Sequence, residues 1–240
     1  MKLTSFVTRD YFPAFASLAY TLSIIGKVTG LEWHVVWGDE PAQDYELIFE
    51  RLGFTPVTYR MEDFNAEVPD IEGTAEYLMF TKNKLLLHLL PEADYIYLDV
   101  DMVCKKDARE MLTFKPFSAM SRPGIDDFCG GFMVFRPSRE AYDVIVNEII
   151  PSKKNWRLSD QDVLNEYYRV RLDCVNNVPW KWNTGWKEAR RQPDWDDLFS
   201  DAIFIHYHGR IKPWDYPPYL GDGHRLWWEL HQNMLVYFGT

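Results

Sequence analysis

The sequence YIYLDVDMV at residues 95–103 is the segment on which the interpretation of the whole chain depends. Its first four residues are apolar or aromatic and follow the turn-like residues 91–94, a pattern typical of a buried strand. The apolar run stops at Asp99 and Asp101. Two carboxylates about 4 Å apart repel each other by roughly 4 kcal/mol at an effective dielectric constant of 20. A divalent cation would offset this repulsion, so we hypothesise that the pair binds a metal ion that carries a phosphorylated substrate.

The bulk composition indicates a folded chain that does not bind nucleic acid. Of its 240 residues, 47% are hydrophobic and 16% aromatic, and the formal net charge is −10. A chain of this length can form one large α/β core or two small domains, and we expect one domain. Binding to nucleic acid or to an anionic membrane surface requires clustered Lys and Arg, which the acidic balance argues against.

The cysteines and the start of the chain favour a cytoplasmic protein. Cys104, Cys129 and Cys174 are odd in number and widely spaced, which argues against a disulfide framework or a zinc site. The N-terminal sequence MKLTSFVTRD resembles a first strand rather than a signal segment. No run approaches the roughly 18 apolar residues of a membrane span, so we expect no transmembrane segment.

Strands and helices alternate over the first hundred residues, which predicts βαβ units of a doubly wound, mainly parallel sheet flanked by helices. Such sheets bind ligands beyond the carboxyl ends of their strands. Thr8, Asp10, Tyr11 and Asp39 all lie at such ends, together with the two aspartates of the opening segment. The predicted strands are 3–8, 31–37 and 54–59, and the predicted helices are 14–28, 45–52 and 75–90.

The second half of the chain is less regular. Two consecutive glycines open one of its predicted strands, where the backbone would need to approach a ligand closely. Ser138 is expected to cap one helix, and either Ser159 or Asp160 to cap another. The predicted strands are 115–120, 130–135 and 202–207, the predicted turn is 122–124, and the predicted helices are 138–150, 159–170 and 224–238.

The segment FIHYHGRIKPW at residues 204–214 supplies candidates for the rest of a metal and phosphate site. His206 and His208 are two residues apart on the predicted strand, so their side chains share one face and Tyr207 lies on the other. Gly209 and Lys212 follow within one loop, which offers a close backbone approach and a positive charge for phosphate oxygens. An Asp, Asp, His set suits Mn²⁺ or Mg²⁺, and the imidazole favours Mn²⁺. The two other Asp-x-Asp pairs, at 160/162 and 194/196, do not follow a buried strand and are interpreted as solvated faces.

Four motifs, in the same order, resemble those of the family 8 glycosyltransferases, a group of retaining enzymes with the GT-A fold. They are YLDVDMV (97–103), FCGGFMVFRPS (128–138), SDQDVLN (159–165) and HYHGRIKPW (206–214). The resemblance extends from about residue 3 to residue 214. It implies one GT-A domain over residues 1–240, with a nucleotide-binding half at 1–103. Residues 104–240 would form the acceptor-binding half and a closing C-terminal helix.

The resemblance also implies roles for individual residues. The metal ligands would be Asp99, Asp101 and His206. The diphosphate would be bound by Gly209 and Lys212, and the nucleobase and ribose of a UDP-sugar by Thr8, Asp10 and Tyr11. Further donor contacts would come from Lys84, Val100 and Gly131, with Asp160, Gln161 and Asp127 beside the reacting sugar.

Cys129 departs from the family pattern, which usually has Asn at this position to bond sugar hydroxyls. A thiol is a weak donor and a weak acceptor. The identity of the donor sugar is therefore open: Asp126 and Asp127 could supply the contacts instead, or the sugar could be a deoxy sugar or one with a different hydroxyl configuration.

Eight of the tryptophans lie in the second half, where enzymes of this type bind their acceptors. Apolar faces of sugars stack well on aromatic rings. Most of these tryptophans are expected to fill the core, but Trp182 or Trp186, beside Asn183, is predicted to line an acceptor site.

The predicted reaction transfers a sugar from a UDP-sugar to a hydroxyl of a carbohydrate or glycoconjugate with retention of configuration. No residue stands out as a covalent nucleophile, which favours front-face attack. The chain could also form a homodimer. Two alternative functions remain open. The Asp99/Asp101 pair also fits the first motif of haloacid-dehalogenase-like phosphatases, and the chain could be a non-catalytic nucleotide- or glycan-binding module.

Overall fold

A large, mostly parallel sheet with helices on both faces forms the centre of the protein. The structure, a computed structural model, describes residues 1–66, 68, 82–121, 127–152, 159–186, 195–209, 211–215 and 222–239. Its strands are β1 Lys2–Val7, β2 Glu32–Trp37, β3 Thr55–Arg60, β4 Tyr95–Leu98, β5 Met102–Cys104, β6 Ser118–Ser121, β7 Phe128–Phe135, β8 Asn176–Val178, β9 Thr184–Gly185 and β10 Phe204–His206. The α-helices are α1 Phe12–Ile24, α2 Tyr45–Arg51, α3 Arg139–Val144, α4 Ile150–Ser152, α5 Asp160–Asn165, α6 Trp195–Asp201 and α7 Asp222–Phe238.

The strand order of the large sheet is β3-β2-β1-β4-β7-β6-β8, and β7 is the one strand that runs against the others among those described. Strands β5, β10 and β9 form a second, three-stranded sheet. The predicted mixed, mainly parallel α/β fold is therefore confirmed. Strand β4 lies between β1 and β7, and all four of its side chains are buried, as its continuous apolar sequence predicts.

Two layers of apolar side chains cover the large sheet. One includes Phe15 and Leu18 of α1, and the other includes Leu85 and Leu86 of the 3₁₀ helix Lys82–Leu89. Helix α1 carries no acidic or basic residue in its end turns, and its middle is buried almost all round, so burial rather than amphipathic patterning stabilises it.

Most predicted elements are present, with altered ends. The predicted helix 14–28 ends at Ile24, and residues 75–81 of the predicted helix 75–90 lie outside the described residues, as does the turn 122–124. The described remainder of that helix, Lys82–Leu89, is a 3₁₀ helix rather than an α-helix. The short strands β5, β8 and β9 were not predicted as separate elements.

The predicted helices 138–150 and 159–170 both contain π-helical turns. Helix α3 continues into the π-helical segment Ile145–Ile149, and α5 continues into Glu166–Arg171. Both predicted caps are present. The Ser138 hydroxyl accepts a hydrogen bond from the Ala141 amide at 3.2 Å, and Ser159 forms a reciprocal capping box with Asp162.

The two sheets meet at the opening segment of the sequence. Strand β4 belongs to the large sheet and β5 to the small one, so residues 99–101 form the crossing between them. The Asp99 amide donates to the Gly131 carbonyl at 2.8 Å, and the Tyr207 amide donates to the Asp101 carbonyl at 2.9 Å. Each aspartate backbone is thereby fixed to a different sheet.

No helix among the described residues is both long and apolar enough to cross a lipid bilayer.

We predict that His88 makes the stability of the protein pH-dependent. It is 5% exposed among the rings of Phe135 and Tyr168, and burial lowers the pKa of His88 to about 4. Because the unfolded chain binds this proton near pH 6.5, the contribution to stability is complete above that pH. It declines as the pH falls toward 4, by up to about 3 kcal/mol.

Urea denaturation between pH 4.5 and 7 measures this effect. His88→Phe keeps the aromatic contacts but removes the proton-binding group, so its stability should change less with pH than that of the unsubstituted protein. Equal pH dependence in the two proteins would contradict the assignment.

Candidate metal and donor site

Three candidate metal ligands converge where the two sheets meet. Asp99, Asp101 and His206 each offer one ligand atom, and these atoms lie within 4.8 Å of one another. Nε2 of His206 is 3.1 Å from Oδ1 of Asp101 and 3.6 Å from Oδ2 of Asp99. Two carboxylates and an imidazole are a donor set that suits Mn²⁺ and, less strongly, Mg²⁺.

Strand pairing brings His206 to the aspartates across more than a hundred residues of sequence. It is the last residue of β10, which pairs antiparallel with β5 so that His206 lies opposite Met102. Asp101 precedes Met102 directly. The imidazole is 3% exposed and Asp101 is 7% exposed, so this side of the cluster is buried.

A glycine leaves the space that the imidazole occupies. A Cβ atom at Gly131 would lie 2.4 Å from Cε1 and 2.6 Å from Nδ1 of His206, and 3.2 Å from Oδ2 of Asp99. The neighbouring Gly130 differs, since a Cβ there would meet nothing closer than 3.9 Å. Gly131 is therefore a steric requirement of the cluster, while the predicted close approach of this backbone to a ligand stays a prediction.

Lys212 lies beside the cluster and bonds to it. Its Nζ donates to Oδ2 of Asp101 at 2.5 Å and to the Tyr207 carbonyl at 3.0 Å. Gly209, in the loop between β10 and Lys212, has a φ of +92°, a left-handed conformation that glycine adopts without strain. The predicted phosphate lysine is thus next to the predicted metal ligands.

Lys84 joins the metal cluster to helix α5. Its Nζ is 3.0 Å from Oδ1 of Asp99 and 2.9 Å from Oδ2 of Asp160, and it also donates to the Gly130 carbonyl at 3.3 Å. Both Lys84 and Asp160 are largely buried. The solvated-face interpretation of the Asp160/Asp162 pair is therefore wrong for Asp160 and holds for Asp162, whose carboxylate caps the exposed start of α5.

Helix α5 also fixes the start of strand β7. Oε1 of Gln161 accepts from the Gly130 amide at 3.2 Å. Asn165 accepts from the Phe128 amide at 2.8 Å and donates to the Phe128 carbonyl at 2.9 Å. The role of Asn165 was not predicted, although it ends the SDQDVLN motif.

Burial and charge act in opposite directions on the ionisable groups of the site. Burial opposes a charged His206, but the negative charge of Asp101 outweighs it and raises the pKa of His206 to about 10. Burial likewise disfavours a charged Asp101, but His206 and Lys212 hold the pKa of this carboxyl below its usual range. For Lys84, Asp160 and Asp99 outweigh the effect of burial and raise the pKa.

The other predicted donor-binding residues lie at different distances from this centre. The Tyr11 ring is 5.7 Å from Nζ of Lys212 and forms an edge contact with Trp214 at 5.3 Å between centroids. Val100 is buried between the two aspartates, and Thr8 follows the end of β1. Asp10 is exposed, and none of its described contacts reaches the metal cluster.

Asp127 immediately precedes β7, and Cys129 is the second residue of that strand. Because β7 runs antiparallel to β4, both residues lie toward the carboxyl end of β4. Asp126 lies outside the described residues. Cys129 is a free, half-buried thiol that interacts with the His206 imidazole. The residue that departs from the family pattern is therefore next to a candidate metal ligand.

The prediction that Trp182 or Trp186 lines an acceptor site is wrong. Trp182 is fully buried, and Trp186 is 7% exposed and packs so closely on Gly223 that a Cβ there would lie 2.2 Å from its ring. Neither can line an acceptor site in this conformation. Trp214, which was not singled out, is half-buried and contacts Tyr11 beside Lys212.

Two contacts of the cluster could not be found from the motifs. The Tyr97 hydroxyl donates to Oδ1 of Asp99, and Oδ1 of Asn183 lies 2.8 Å from Nδ1 of His206. Tyr97 and Asp99 are two residues apart, so strand periodicity alone placed them on one face. Asn183 carried no such signal, because only the pairing of β9 with β10 brings it to His206.

Comparisons with known proteins find glycosyltransferases and glycogenins. Residues 113–217 match the model of glycosyl transferase family 8. Human glycogenin-2 is 26% identical over 162 residues, which cover 59% of this chain and 32% of the relative. Mouse glycogenin-1 is 25% identical over 125 residues, covering 50% and 37% respectively. The chain thus spans about a third of the length of these relatives.

Solved structures show the same fold. The glycosyltransferase GlyE of Streptococcus pneumoniae superposes with a TM-score of 0.74 at 14% identity, covering 98% of this chain and 63% of that one. Galactosyltransferase LgtC, in complex with donor and acceptor sugar analogs, gives a TM-score of 0.71 at 16% identity and covers 97% and 96%. The family model matches residues 113–217 of the chain, and the solved structures show that its fold is that of the GT-A glycosyltransferases.

We predict that Gly131→Ala weakens metal binding far more than Gly130→Ala. The new methyl group at residue 131 must displace the His206 ring, at an overpacking cost of about 1–3 kcal/mol. The same methyl group at residue 130 meets only ordinary contacts and serves as the matched control. Calorimetric titration with Mn²⁺, alongside melting temperatures, separates loss of the site from loss of the fold. Equal Mn²⁺ affinity in the two variants would contradict the proposed ligand geometry.

Proposed function

We propose that the protein is a metal-dependent retaining glycosyltransferase that moves a sugar from a UDP-sugar to a hydroxyl of a carbohydrate or glycoconjugate acceptor. The observation that carries this proposal is the convergence of Asp99, Asp101 and His206 within 4.8 Å, with Lys212 bonded to Asp101. Two hard oxygen donors and an imidazole fit Mn²⁺, with Mg²⁺ as the second choice.

The residues of the site suit the departure of a nucleoside diphosphate. A bound Mn²⁺ would supply Lewis-acid stabilisation of the charge that develops on the leaving diphosphate. Lys212 provides a second, fixed positive charge at the same place, and Gly209 leaves its backbone accessible to phosphate oxygens. Positive charge held in place before the reaction lowers the barrier without reorganisation.

Asp160 and Gln161 are proposed to orient the donor sugar. Asp160 is paired with Lys84 at 2.9 Å, and Gln161 holds the backbone of Gly130. A carboxylate that is neutralised by a buried lysine is a weak nucleophile, which favours an orienting role for Asp160. This pairing supports front-face attack assisted by the leaving phosphate, and hence retention of configuration, as the family resemblance implies.

The remaining donor contacts are proposed on position alone. Tyr11, beside Lys212 and Trp214, is the best placed of the N-terminal residues to contact the nucleoside. Thr8, Asp10, Val100 and Asp127 stay predictions, as do the cytoplasmic location, the homodimer and the division into halves at residue 103.

The phosphatase alternative is disfavoured by the match to a glycosyltransferase family and by the position of the Asp99 segment, since β1, β2 and β3 all precede it. The binding-module alternative is disfavoured by the complete set of candidate metal and phosphate groups. Release of inorganic phosphate from phosphate monoesters would revive the first alternative. Tight UDP-sugar binding with no transfer or hydrolysis in Mn²⁺ would revive the second.

Asp101→Asn and His206→Ala should each lower Mn²⁺-dependent turnover of the UDP-sugar by about a hundredfold or more, because each removes a group that holds charge at the leaving diphosphate. Release of UDP measures the turnover. Asp196→Asn, at an exposed carboxylate on α6, is the matched control and should retain full activity. Unchanged turnover in both site variants would refute the assignment.

The donor is identified by thermal-shift measurements with UDP-, GDP- and dTDP-sugars in the presence of Mn²⁺. A ligand present at 100 times its Kd stabilises the folded state by about 2.7 kcal/mol, so we expect the UDP-sugars to raise the melting temperature most. Cys129→Asn should increase the stabilisation by UDP-glucose or UDP-galactose, because an amide bonds sugar hydroxyls better than a thiol.

Cys129→Ser, which supplies a hydroxyl but no amide, is the comparison variant for this screen. If neither substitution changes the ranking of donor sugars, residue 129 does not select the donor. A larger shift with GDP- or dTDP-sugars would replace UDP in the proposal.

A further inference from the structure

The buried amide of Asn183 lies directly behind the candidate metal ligand His206. Asn183 is 1% exposed and precedes β9, whose pairing with β10 places Gly185 opposite His206. Its Oδ1 is 2.8 Å from Nδ1 of His206. Its own backbone amide donates to the Trp180 carbonyl at 2.9 Å, so the residue is fixed at both its backbone and its side chain.

This contact determines which ring nitrogen carries a hydrogen. A carboxamide oxygen only accepts hydrogen bonds, so Nδ1 of His206 is the donor. The other nitrogen, Nε2, is the one that faces Oδ1 of Asp101 at 3.1 Å and Oδ2 of Asp99 at 3.6 Å. When His206 is neutral, its free electron pair is therefore on Nε2 and directed at the carboxylates.

The other polar atom of the Asn183 side chain is the amide nitrogen, Nδ2. Nδ2 is buried and has no hydrogen-bond partner within the described part of the chain. A buried polar group without a partner destabilises the folded state, and an apolar side chain of similar size would avoid this cost. The bond from His206 to Oδ1 is thus the contribution that an apolar residue at position 183 could not make.

We propose that Asn183 is a positioning residue for the metal ligand: it fixes the ring orientation and the Nδ1–H tautomer of His206, so that Nε2 is available to the cation. The inference rests on the metal site of the proposed function. Partners of this kind orient ligating histidines and raise their basicity, and their loss commonly weakens metal affinity 10- to 100-fold.

The test is Mn²⁺ binding to the full chain without donor, measured by calorimetry and by the electron paramagnetic resonance signal of free Mn²⁺. Asn183→Leu keeps the volume and removes the acceptor, so its Kd for Mn²⁺ should rise about 10- to 100-fold. Asn183→Asp keeps an acceptor at the same place and should restore most of the affinity. Asn183→Ala provides a second acceptor-free variant if the leucine substitution prevents folding.

Thr184→Val is the matched control for a purely structural effect. Thr184 is the next residue, is 3% exposed, and its hydroxyl donates to the Trp180 carbonyl at 3.3 Å without contacting the cluster. Removing this bond should alter stability and leave the Kd for Mn²⁺ unchanged.

The outcomes distinguish this inference from the function on which it rests. Mn²⁺ affinity in Asn183→Leu equal to that of the unsubstituted protein would overturn the positioning role alone. Equal losses in Asn183→Leu and Thr184→Val would also overturn it, because the effect would then be structural. Absence of Mn²⁺ binding in the unsubstituted protein would contradict the metal site itself, and with it this role.

Discussion

The neutralisation of two aspartates at the junction of two sheets is the constraint on which the site depends. Asp101 is nearly buried, and a buried carboxylate without a partner costs several kcal/mol. His206 and Lys212 both contact it, while Lys84 and the Tyr97 hydroxyl contact Asp99. Each carboxylate therefore has positively charged or hydrogen-bonding neighbours, and those of Asp101 come from a part of the chain more than a hundred residues away. The divalent cation of the proposed function would add to a charge arrangement that already holds the two carboxylates close together.

The backbone provides the precision of this arrangement. The large sheet holds Asp99 through the Gly131 carbonyl, and the loop after β10 holds Asp101 through the Tyr207 amide. A relative movement of the two sheets would change the separation of the carboxylates. Extensive burial on both faces of β4 opposes such a movement, because the strand is packed between two apolar layers. The stability of the fold and the geometry of the site therefore have a common physical origin.

Around the cluster, small residues and buried amides determine what each charged group can do. Gly131 leaves space for the imidazole, Gly209 adopts a left-handed backbone conformation, and Oδ1 of Asn183 accepts a hydrogen bond from Nδ1 of His206. The ion pair of Asp160 with Lys84 supports the orienting role that is proposed for this carboxylate. Cys129 interacts with His206, so the residue that leaves the donor sugar open lies beside a candidate metal ligand.

The sequence alone determined the fold class, the alternation of strands and helices, and the identity of the charged residues at the strand ends. It could do so because burial imposes local periodicity, and because a pair of aspartates after an apolar strand is chemically distinctive. Only the tertiary structure decided that Asp160 is buried against Lys84, that Trp182 and Trp186 belong to the core, and that Asn183 bonds His206. These contacts join residues separated by 23 to 76 positions. They follow from the pairing of short strands and from the packing of helices, which local sequence patterns do not encode.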